Sequence, residues 1–420
     1  MKKLLKTLKD IPSQPSTILM RVDYNVPLKD GKVVDDRRLR ESIPTLHELF
    51  KAKHKVVLVA HLGRPEGRDS KLTLEPIATY LRDNLKLPMH FVPDTVGAKA
   101  HNAIEALEPG TAVLLENVRF YQEEEQNNPH FAQQLCHNAT IFVNDAFSAA
   151  HRAHASTVGV TRYLESFAGL ALQKEVEMLG GLMEQPKRPF VMVLGGAKIS
   201  DKVGAVRHLA NIADCVLIGG AIANNFLKAD GLEIHKSFIE EHSADIKKRS
   251  IDYVQVAKRL LNAHKTERML IDEFIPLPKI IYPIDVLAAD SPVATPNKIE
   301  HIELTHHAED TPNDRDIKYF DIGPQTIQLY KAVLAEAKTI FWNGPMGMWE
   351  QPEFSHGTAN IAKAIARSDA HTVIGGGDSL AAAEHFGLEM KYSYSSAAGG
   401  AALEFLGGKV LPGIRPLLKK

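Results

Sequence analysis

Phe190-Val191-Met192-Val193-Leu194-Gly195-Gly196-Ala197-Lys198 joins a continuous apolar run to a glycine pair. Such a run is typical of a strand that is buried on both faces, and the glycine turn after it leads into a helix. Similar runs recur along the 420 residues and alternate with segments of helical period. The pattern predicts an α/β fold in which helices cover both faces of parallel sheets.

The predicted strands form two series, so we expect two doubly wound domains with three layers (αβα) each. The first series lies near 17–22, 55–60, 89–92, 111–115 and 139–143, and the second near 190–194, 215–219, 280–286, 339–342 and 371–375. A chain of 420 residues also exceeds the size at which one core stops growing. We expect exposed helices over 228–270 and an irregular strand-and-loop stretch over 287–321, which includes Thr311-Pro312-Asn313-Asp314.

A helical pattern lies between the two series. Residues 170–183 mix apolar and charged positions. This pattern ends near Gly180-Gly181, and Pro186 and Pro189 follow it. We therefore predict a connecting helix followed by a break, which would form a hinge. The expected division is an N-terminal domain (1–172), a connecting helix and hinge (173–189) and a C-terminal domain (190–405).

Composition narrows the classes of function. The chain is 44% hydrophobic and 24% charged, as in ordinary globular proteins, and its net charge of −1 argues against an extended nucleic-acid surface. Cys136 and Cys215 lie in or beside strand-like runs, which favours a reducing compartment over a disulfide framework. There is no apolar run of about 18 residues and no signal-peptide pattern, so we expect a cytoplasmic protein without membrane contact.

In the first half of the chain, charged residues follow the strands, where parallel sheets bind ligands. The apolar runs stop at Asp23-Tyr24-Asn25, His61-Leu62-Gly63-Arg64 and Glu116-Asn117-Val118-Arg119, and Asn144 to Arg152 follows a further run. Guanidinium groups bind carboxylate and phosphate oxygens in pairs, so Arg38, Arg64, Arg119 and Arg152, with His61 and His151, predict a site for a small phosphorylated acid. The alternative for any single arginine is a solvated surface residue.

In the second half, the apolar runs stop at glycine. The turns are Gly195-Gly196 before Lys198 and Lys202, Gly219-Gly220, and Gly375-Gly376-Gly377 before Asp378 and Ser379. Glycine lets a backbone approach phosphate closely, and a helix N-terminus supplies free N–H groups. We predict that Lys198 and Lys202 share one face of the following helix and bind phosphate. Asp378 and Ser379 suit Mg²⁺ and phosphate, and Asn343-Gly344-Pro345 with Glu350 suits a ribose or a phosphate.

The predicted nucleotide site is not of a common type. The chain has neither a Walker A motif nor a Gly-x-Gly-x-x-Gly fingerprint. His151 and His154 have no third metal ligand near them in the sequence, so a structural zinc site is not expected.

Taken together and in this order, the motifs resemble those of the phosphoglycerate kinase family over essentially the whole chain. The matching stretches are Arg21 to Pro27, His61 to Pro65, Leu115 to Phe120, Val143 to Phe147, Ala150 to His154, Leu194 to Lys198, Trp342 to Pro345 and Gly375 to Asp378. The resemblance implies a monomeric, two-lobed enzyme that moves a phosphoryl group between ATP and the carboxylate of 3-phosphoglycerate, giving ADP and 1,3-bisphosphoglycerate. It also implies a tail, residues 406–420, that returns to the first lobe.

The resemblance further implies a role for individual residues. 3-Phosphoglycerate would be held by Asp23, Tyr24, Asn25, Arg38, His61, Leu62, Gly63, Arg64, Arg119 and Arg152. The nucleotide would be held by Gly195, Gly196, Lys198, Lys202, Gly219, Gly220, Asn343, Glu350, Gly376, Gly377, Asp378 and Ser379, with Asp378 contacting Mg²⁺. Arg38, Lys202 and Lys198 would act in catalysis, and Gly399 and Gly400 would face the transferred phosphate.

The sequence departs from the family pattern in three places. Ser379 stands where threonine is usual, Ser148 where glycine is usual, and Ser396-Ala397-Ala398-Gly399-Gly400 where Ser-Thr-Gly-Gly-Gly is expected. The loss of a hydroxyl and a glycine is expected to stiffen that turn. Two other functions remain open from the sequence: a different ATP-dependent kinase of a small acid, and a non-catalytic binding protein with two lobes.

Overall fold

The computed structural model describes residues 5–242, 251–271, 275–305 and 315–419. The chain forms two compact units, Met1–Gly180 with Lys409–Lys420 (unit 1) and Gly181–Gly408 (unit 2). Each unit contains a six-stranded sheet in which every pairing is parallel, as the sequence predicts.

Unit 1 is an α/β sandwich. Its strands are β1 (Thr17–Arg21), β2 (Leu28–Lys29), β3 (Lys32–Val33), β4 (Lys55–Val59), β5 (Met89–Val92), β6 (Ala112–Leu115), β7 (Ile141–Asn144) and β8 (Glu165–Ala168). Its helices are α1 (Arg37–Glu41), α2 (Ile43–Lys51), α3 (Glu75–Asp83), α4 (Ala98–Glu105), α5 (Gln122–Glu125), α6 (Pro129–Leu135) and α7 (Leu170–Glu184), the last of which continues into unit 2. The parallel sheet has the order β5-β6-β4-β1-β7-β8. Ile18 and Met20 enter one apolar cluster and Leu19 enters another, so both faces of β1 are covered.

Unit 2 repeats the architecture and adds antiparallel strands. Its strands are β9 (Phe190–Leu194), β10 (Cys215–Ile218), β11 (Arg268–Ile271), β12 (Ile275–Pro278), β13 (Ile280–Ile281), β14 (Asp285–Ala289), β15 (Glu300–Glu303), β16 (Lys318–Ile322), β17 (Thr339–Asn343), β18 (His371–Gly375) and β19 (Tyr394–Ser396). Its helices are α8 (Val203–Leu209), α9 (Ile222–Ala229), α10 (Tyr253–Ala263), α11 (Pro324–Glu336), α12 (His356–Ala366), α13 (Gly377–His385) and α14 (Gly400–Leu406). The parallel sheet has the order β13-β10-β9-β17-β18-β19, and β14 lies between β15 and β16 in an antiparallel sheet.

The prediction of a single strand over 280–286 is wrong, because this segment contributes to two sheets. β13 pairs with β10, whereas β14 pairs with β15 and β16. Pro283 lies between them and has no N–H to donate to a ladder. The strands β8 and β19 were not predicted; they are short strands at sheet edges and contain serine at Ser166, Ser395 and Ser396.

Two other segments agree with the prediction only in part. Within 228–270, α10 is a helix, but the described residues 231–242 contain no helix and β11 begins at Arg268. Residues 287–321 supply β15 and most of β16, while Thr311-Pro312-Asn313-Asp314 lies outside the described residues. The predicted connecting helix is α7, which runs through Gly180 and Gly181 to Glu184.

The C-terminal residues pack on unit 1. Lys6 N donates to Leu417 O (2.8 Å), and Gly413 N donates to Ala150 O (2.8 Å). Asn144 Nδ2 at the end of β7 donates to Gly413 O (3.2 Å). Within the described ranges, no helix combines the length and apolar character needed to cross a membrane. Cys136 and Cys215 are buried free thiols.

Candidate active site

In unit 1, polar residues that follow different strands meet at the carboxyl edge of the sheet. The strands β6, β4 and β1 are neighbours, and Arg119, Gly63 and Asn25 follow them in the chain. Asn25 Oδ1 accepts a hydrogen bond from Gly63 N (2.9 Å), and Arg119 Nη1 donates to Gly63 O (2.7 Å). We call this hydrogen-bonded set, together with Asp23 and Arg38, the unit 1 rim.

Arg38 enters the unit 1 rim from α1. Its Nη1 lies 3.1 Å from Asp23 Oδ2 and 3.1 Å from Asn25 O. Asp23 Oδ1 also accepts from Asn25 N (3.1 Å). The Arg38 side chain keeps 29% of its surface exposed, so this cation is held in place and still reachable from solvent. Such a group can bind the oxygens of an anionic ligand.

A buried cation lies beneath the rim, and it was not among the predicted site residues. Arg21 ends β1, is 1% exposed, and places Nη2 2.9 Å from His61 Nδ1. A guanidinium has only donors, so His61 Nδ1 accepts and the ring proton lies on Nε2. Burial and the charges of Arg21 and Arg119 hold the pKa of His61 well below 6.5. An arginine inside an otherwise apolar run was the signal that could have identified Arg21.

Arg21 also belongs to a network of buried polar side chains. Arg21 Nε donates to Ser156 Oγ (2.9 Å), which donates to Glu124 Oε1 (2.6 Å). His154 Nδ1 lies 3.7 Å from the same Glu124 oxygen, and burial lowers the pKa of His154 to about 4. This network fixes Arg21 and therefore fixes the tautomer of His61.

We expect His61 to remain a neutral Nε2–H donor as the pH falls through 6.5. Long-range ¹H–¹⁵N NMR spectra would identify the tautomer, and a His61→Gln variant would assign the resonance. Because the unfolded chain gains this proton near pH 6.5 and the folded chain does not, His61 lowers the stability of the fold below that pH. An Nδ1–H tautomer, or protonation near pH 6.5, would contradict the assignment.

Two residues expected at the ligand face lie in the core. Tyr24 is completely buried, with its hydroxyl 2.9 Å from Ser42 Oγ, and Leu62 is 4% exposed in the same apolar cluster. Their side chains cannot contact a ligand at the rim, so only their backbone atoms can do so. Arg64 is exposed, and Arg152 is partly buried with Nε donating to His151 Nε2 (3.1 Å).

In unit 2, Lys202 lies at the carboxyl edge of the sheet. Its Nζ donates to Gly195 O (2.7 Å) and Asn343 O (3.1 Å), at the ends of the neighbouring strands β9 and β17. Lys202 is 9% exposed, and burial lowers its pKa to about 8, although the charge of Asp378 opposes this shift. The edge therefore carries a buried ammonium group.

The prediction that Lys198 and Lys202 share one face of a helix is wrong. α8 begins only at Val203, and residues 195–202 form a loop. Gly196 adopts a φ of 98° that turns the chain, and Ser200 N donates to Glu240 Oε2 (2.9 Å). Lys202 therefore folds back onto the strand ends, whereas Lys198 is exposed.

The glycines of this edge allow three turns to touch. Gly196 N donates to Pro345 O (2.7 Å), and Gly220 N donates to Met346 O (2.8 Å). A Cβ on Gly195 would lie 1.9 Å from Pro345 O, and one on Gly219 would lie 2.5 Å from the Met346 sulfur. The turns after β9, β10 and β17 are thus packed backbone against backbone.

The turn after β18 begins α13. Asn343 Nδ2 donates to Gly375 O (2.7 Å), and Gly344 N donates to Ser379 Oγ (2.6 Å). Asn343 and Ser379 are buried and hold two turns together, while Gly376 is partly buried. Gly377, Asp378 and Glu350 are exposed to solvent, as is Lys198.

The loop before α14 depends on one glycine. Gly399 adopts a φ of 52°, in the region that favours glycine, and a Cβ on Gly399 or Gly400 would meet nothing within 4 Å. Ala398 N donates to Ser396 Oγ (3.4 Å) within the same loop. Gly399 is therefore required by its backbone conformation rather than by space.

Comparison with known proteins identifies the family of this chain. The family model described as phosphoglycerate kinase matches residues 8–409. The chain belongs to the phosphoglycerate kinase family. It is similar to the phosphoglycerate kinases of Dictyoglomus turgidum (44% identical over 420 residues, 100% of each chain) and Moorella thermoacetica (43% over 419 residues, 99% of each chain). Among solved structures it is similar to the phosphoglycerate kinases of Coxiella burnetii (TM-score 0.81, 36% identity) and Pyrococcus horikoshii (TM-score 0.76, 31% identity), with 98% of each chain covered.

Membership of the phosphoglycerate kinase family settles the class of reaction. The chain is a kinase, and its reaction is reversible phosphoryl transfer between ATP and 3-phosphoglycerate in glycolysis. Of the three functions that the sequence left open, this is the one that the relatives support.

Proposed function

We propose that the unit 1 rim binds 3-phosphoglycerate. The observation that carries this assignment is Arg38, held by Asp23 and Asn25 and still exposed to solvent, at the edge where His61 is a neutral donor. Burial lowers the pKa of Arg119, and the charges of Arg21 and Arg152 lower it further while Glu125 opposes them. Positive charge is concentrated there, so a bound phosphate and carboxylate would relieve it.

The carboxyl edge of unit 2 is the proposed ATP site. Lys202 supplies a cation at the strand ends, and Gly195, Gly196, Gly219 and Gly220 let the turns after β9, β10 and β17 pack closely around it. Lys198, Glu350, Gly376, Gly377 and Asp378 complete the proposed nucleotide set, and Asn343 and Ser379 shape it by their contacts with Gly375 and Gly344. Gly399 and Gly400 are assigned to the transferred phosphate.

Mg²⁺ would accompany the nucleotide. Among the described residues, no group of three or more His, Cys, Asp or Glu side chains could hold a metal ion. Asp378 offers one exposed carboxylate in the first turn of α13, which suits an ion that takes most of its ligands from phosphate and water. When bound, Mg²⁺ would neutralise charge on the phosphate oxygens.

The proposed mechanism depends on charge and positioning rather than on a general base. The carboxylate of 3-phosphoglycerate is already an anionic nucleophile at neutral pH, so one of its oxygens attacks the γ-phosphorus as the bond to ADP breaks. Arg38 and Lys202 stabilise the negative charge that spreads over the transferred oxygens. Closure that brings the two ligands together would also exclude the water that hydrolyses an acyl phosphate.

We assign this closure to the connecting segment that contains Gly181. Gly181 is exposed within α7, and a Cβ there would meet nothing within 4 Å. Gly181→Ala should stabilise the helix by about 0.5–1 kcal/mol and lower kcat severalfold, because alanine restricts the backbone at the proposed hinge. Thermal unfolding and steady-state kinetics check both effects. Gly204→Ala, at an exposed position of α8, should stabilise similarly without changing kcat; equal kinetic effects would remove the hinge assignment.

The direct test is transfer from MgATP that depends on 3-phosphoglycerate, coupled to NADH oxidation by glyceraldehyde-3-phosphate dehydrogenase. Controls omit the acid, the nucleotide or Mg²⁺. Turnover that requires all three supports the proposed sites. A folded sample that binds ATP and gives turnover only with another small acid would instead favour a changed acid site.

We further propose that the enzyme is a cytoplasmic monomer that binds neither nucleic acid nor membranes. The net charge of −1 supports the first exclusion, because nucleic-acid surfaces carry a basic excess. The buried free thiols suit a reducing compartment.

A further inference from the structure

The hydroxyl of Ser148 contacts the unit 1 rim from the segment that follows β7. Ser148 Oγ donates to Asp23 Oδ2 (2.5 Å), and this same oxygen lies 3.1 Å from Arg38 Nη1. The reaction described above gives this hydroxyl no role. A carboxylate oxygen only accepts, so Ser148 is the donor.

This contact restrains an acidic residue that lies within an anion site. Asp23 Oδ1 accepts from Asn25 N (3.1 Å), while Oδ2 is shared by Ser148 and Arg38. With donors on both oxygens, the carboxylate resists rotation, and Arg38 stays between Asp23 and Asn25 O. Without the Ser148 hydroxyl, Asp23 Oδ2 would keep only its contact with Arg38, so the position of the Asp23–Arg38 pair would be less restrained.

Ser148 also extends the rim to a fourth strand. β7 pairs with β1 on the side opposite to β4, with Asn144 beside Arg21. The hydrogen bonds of Asn25, Gly63 and Arg119 join β1, β4 and β6, and Ser148 ties the segment after β7 to the same set. That segment also carries His151 and Arg152.

We propose that Ser148 is a positioning residue that sets the affinity for the phosphorylated acid by fixing Asp23 and, through it, Arg38. It touches no reacting atom. The inference rests on the proposed function for the identity of the ligand, 3-phosphoglycerate. Its expected signature is a loss of affinity for the acid without a loss of affinity for the nucleotide.

The test compares Ser148→Ala, Ser148→Thr and the matched control Ser166→Ala. Ser166 is a buried serine of unit 1 whose Oγ donates to Leu164 O (2.9 Å). Calorimetry measures the Kd for 3-phosphoglycerate without nucleotide and the Kd for ADP without acid. Ser148→Ala should raise the Kd for 3-phosphoglycerate about tenfold, the usual effect of one hydrogen bond to a charged group, with the Kd for ADP within about twofold. Ser148→Thr should restore most of the affinity, and Ser166→Ala should change neither constant.

Two results would overturn the inference. One is an unchanged Kd for 3-phosphoglycerate in folded Ser148→Ala, and the other is an equal loss of affinity for both ligands. Ser148→Gly removes the same hydroxyl and replaces the alanine variant if that protein does not fold. A wild-type enzyme that binds no 3-phosphoglycerate would contradict the proposed function instead.

Discussion

Arg38→Ala should lower kcat by about a thousandfold and change the Kd for ADP by less than twofold. Arg38 is a partly exposed guanidinium fixed against Asp23 and Asn25 O, so it can bind transferred oxygens without reorganising. A preorganised cation at a phosphoryl-transfer site is commonly worth three to five orders of magnitude in kcat. Coupled-assay kinetics measure kcat, and calorimetry measures the binding of ADP.

Two variants control for loss of charge and loss of fold. Arg38→Lys keeps the charge but removes the planar pair of donors, so it should recover only part of the lost rate. Arg40→Ala removes an exposed arginine of the same helix, which pairs with Asp36 at 2.7 Å, and should leave kcat within twofold. An Arg38→Ala enzyme with a normal kcat would refute the proposed role.

The second large effect is expected for Lys202. Lys202→Met should lower kcat/KM for MgATP at least about a hundredfold, while the Kd for 3-phosphoglycerate stays within twofold. The ammonium group is buried and held by Gly195 O and Asn343 O, so its position is set before the nucleotide binds. Lys228→Met is the matched control, because Lys228 is an exposed lysine of α9 that pairs with Glu241 (2.8 Å). Equal kinetics in the two variants would exclude a role for Lys202.

The lowered pKa of Lys202 adds a pH test of the same assignment. With a pKa of about 8, the free enzyme loses this charge as the pH rises through 8, so the affinity for ADP should fall above that pH. The unfolded chain keeps its proton up to a pKa of 10.5, so between these two values Lys202 makes stability rise with pH. Calorimetry with ADP between about pH 7 and 9.5 measures the binding effect. An affinity that is constant across this range would contradict a charged Lys202 at the phosphates.

The carboxyl edges of the two sheets were predictable because the ends of buried strands leave a strong signal in the sequence. An apolar run that stops at charge or at glycine identifies both the strand and its carboxyl end, and this pattern placed Asn25, Gly63 and Arg119 together. Edge strands such as β8 and β19 carry no such run, since they are short and partly polar. Pro283 was the local signal that should have divided 280–286.

The sequence by itself determined the two parallel-sheet domains, the basic character of one edge and the glycine-rich character of the other. These follow from local patterns, because burial on both faces demands apolar runs and close backbone approach demands glycine. Only the tertiary structure decided which side chains are buried and which lie at the sheet edges: it buries Tyr24, turns Lys202 back onto two strand ends, and fixes the His61 proton through Arg21. Each of these features depends on a partner that is distant in the chain, and so does the contact of Ser148 with Asp23. No local sequence pattern therefore contains them.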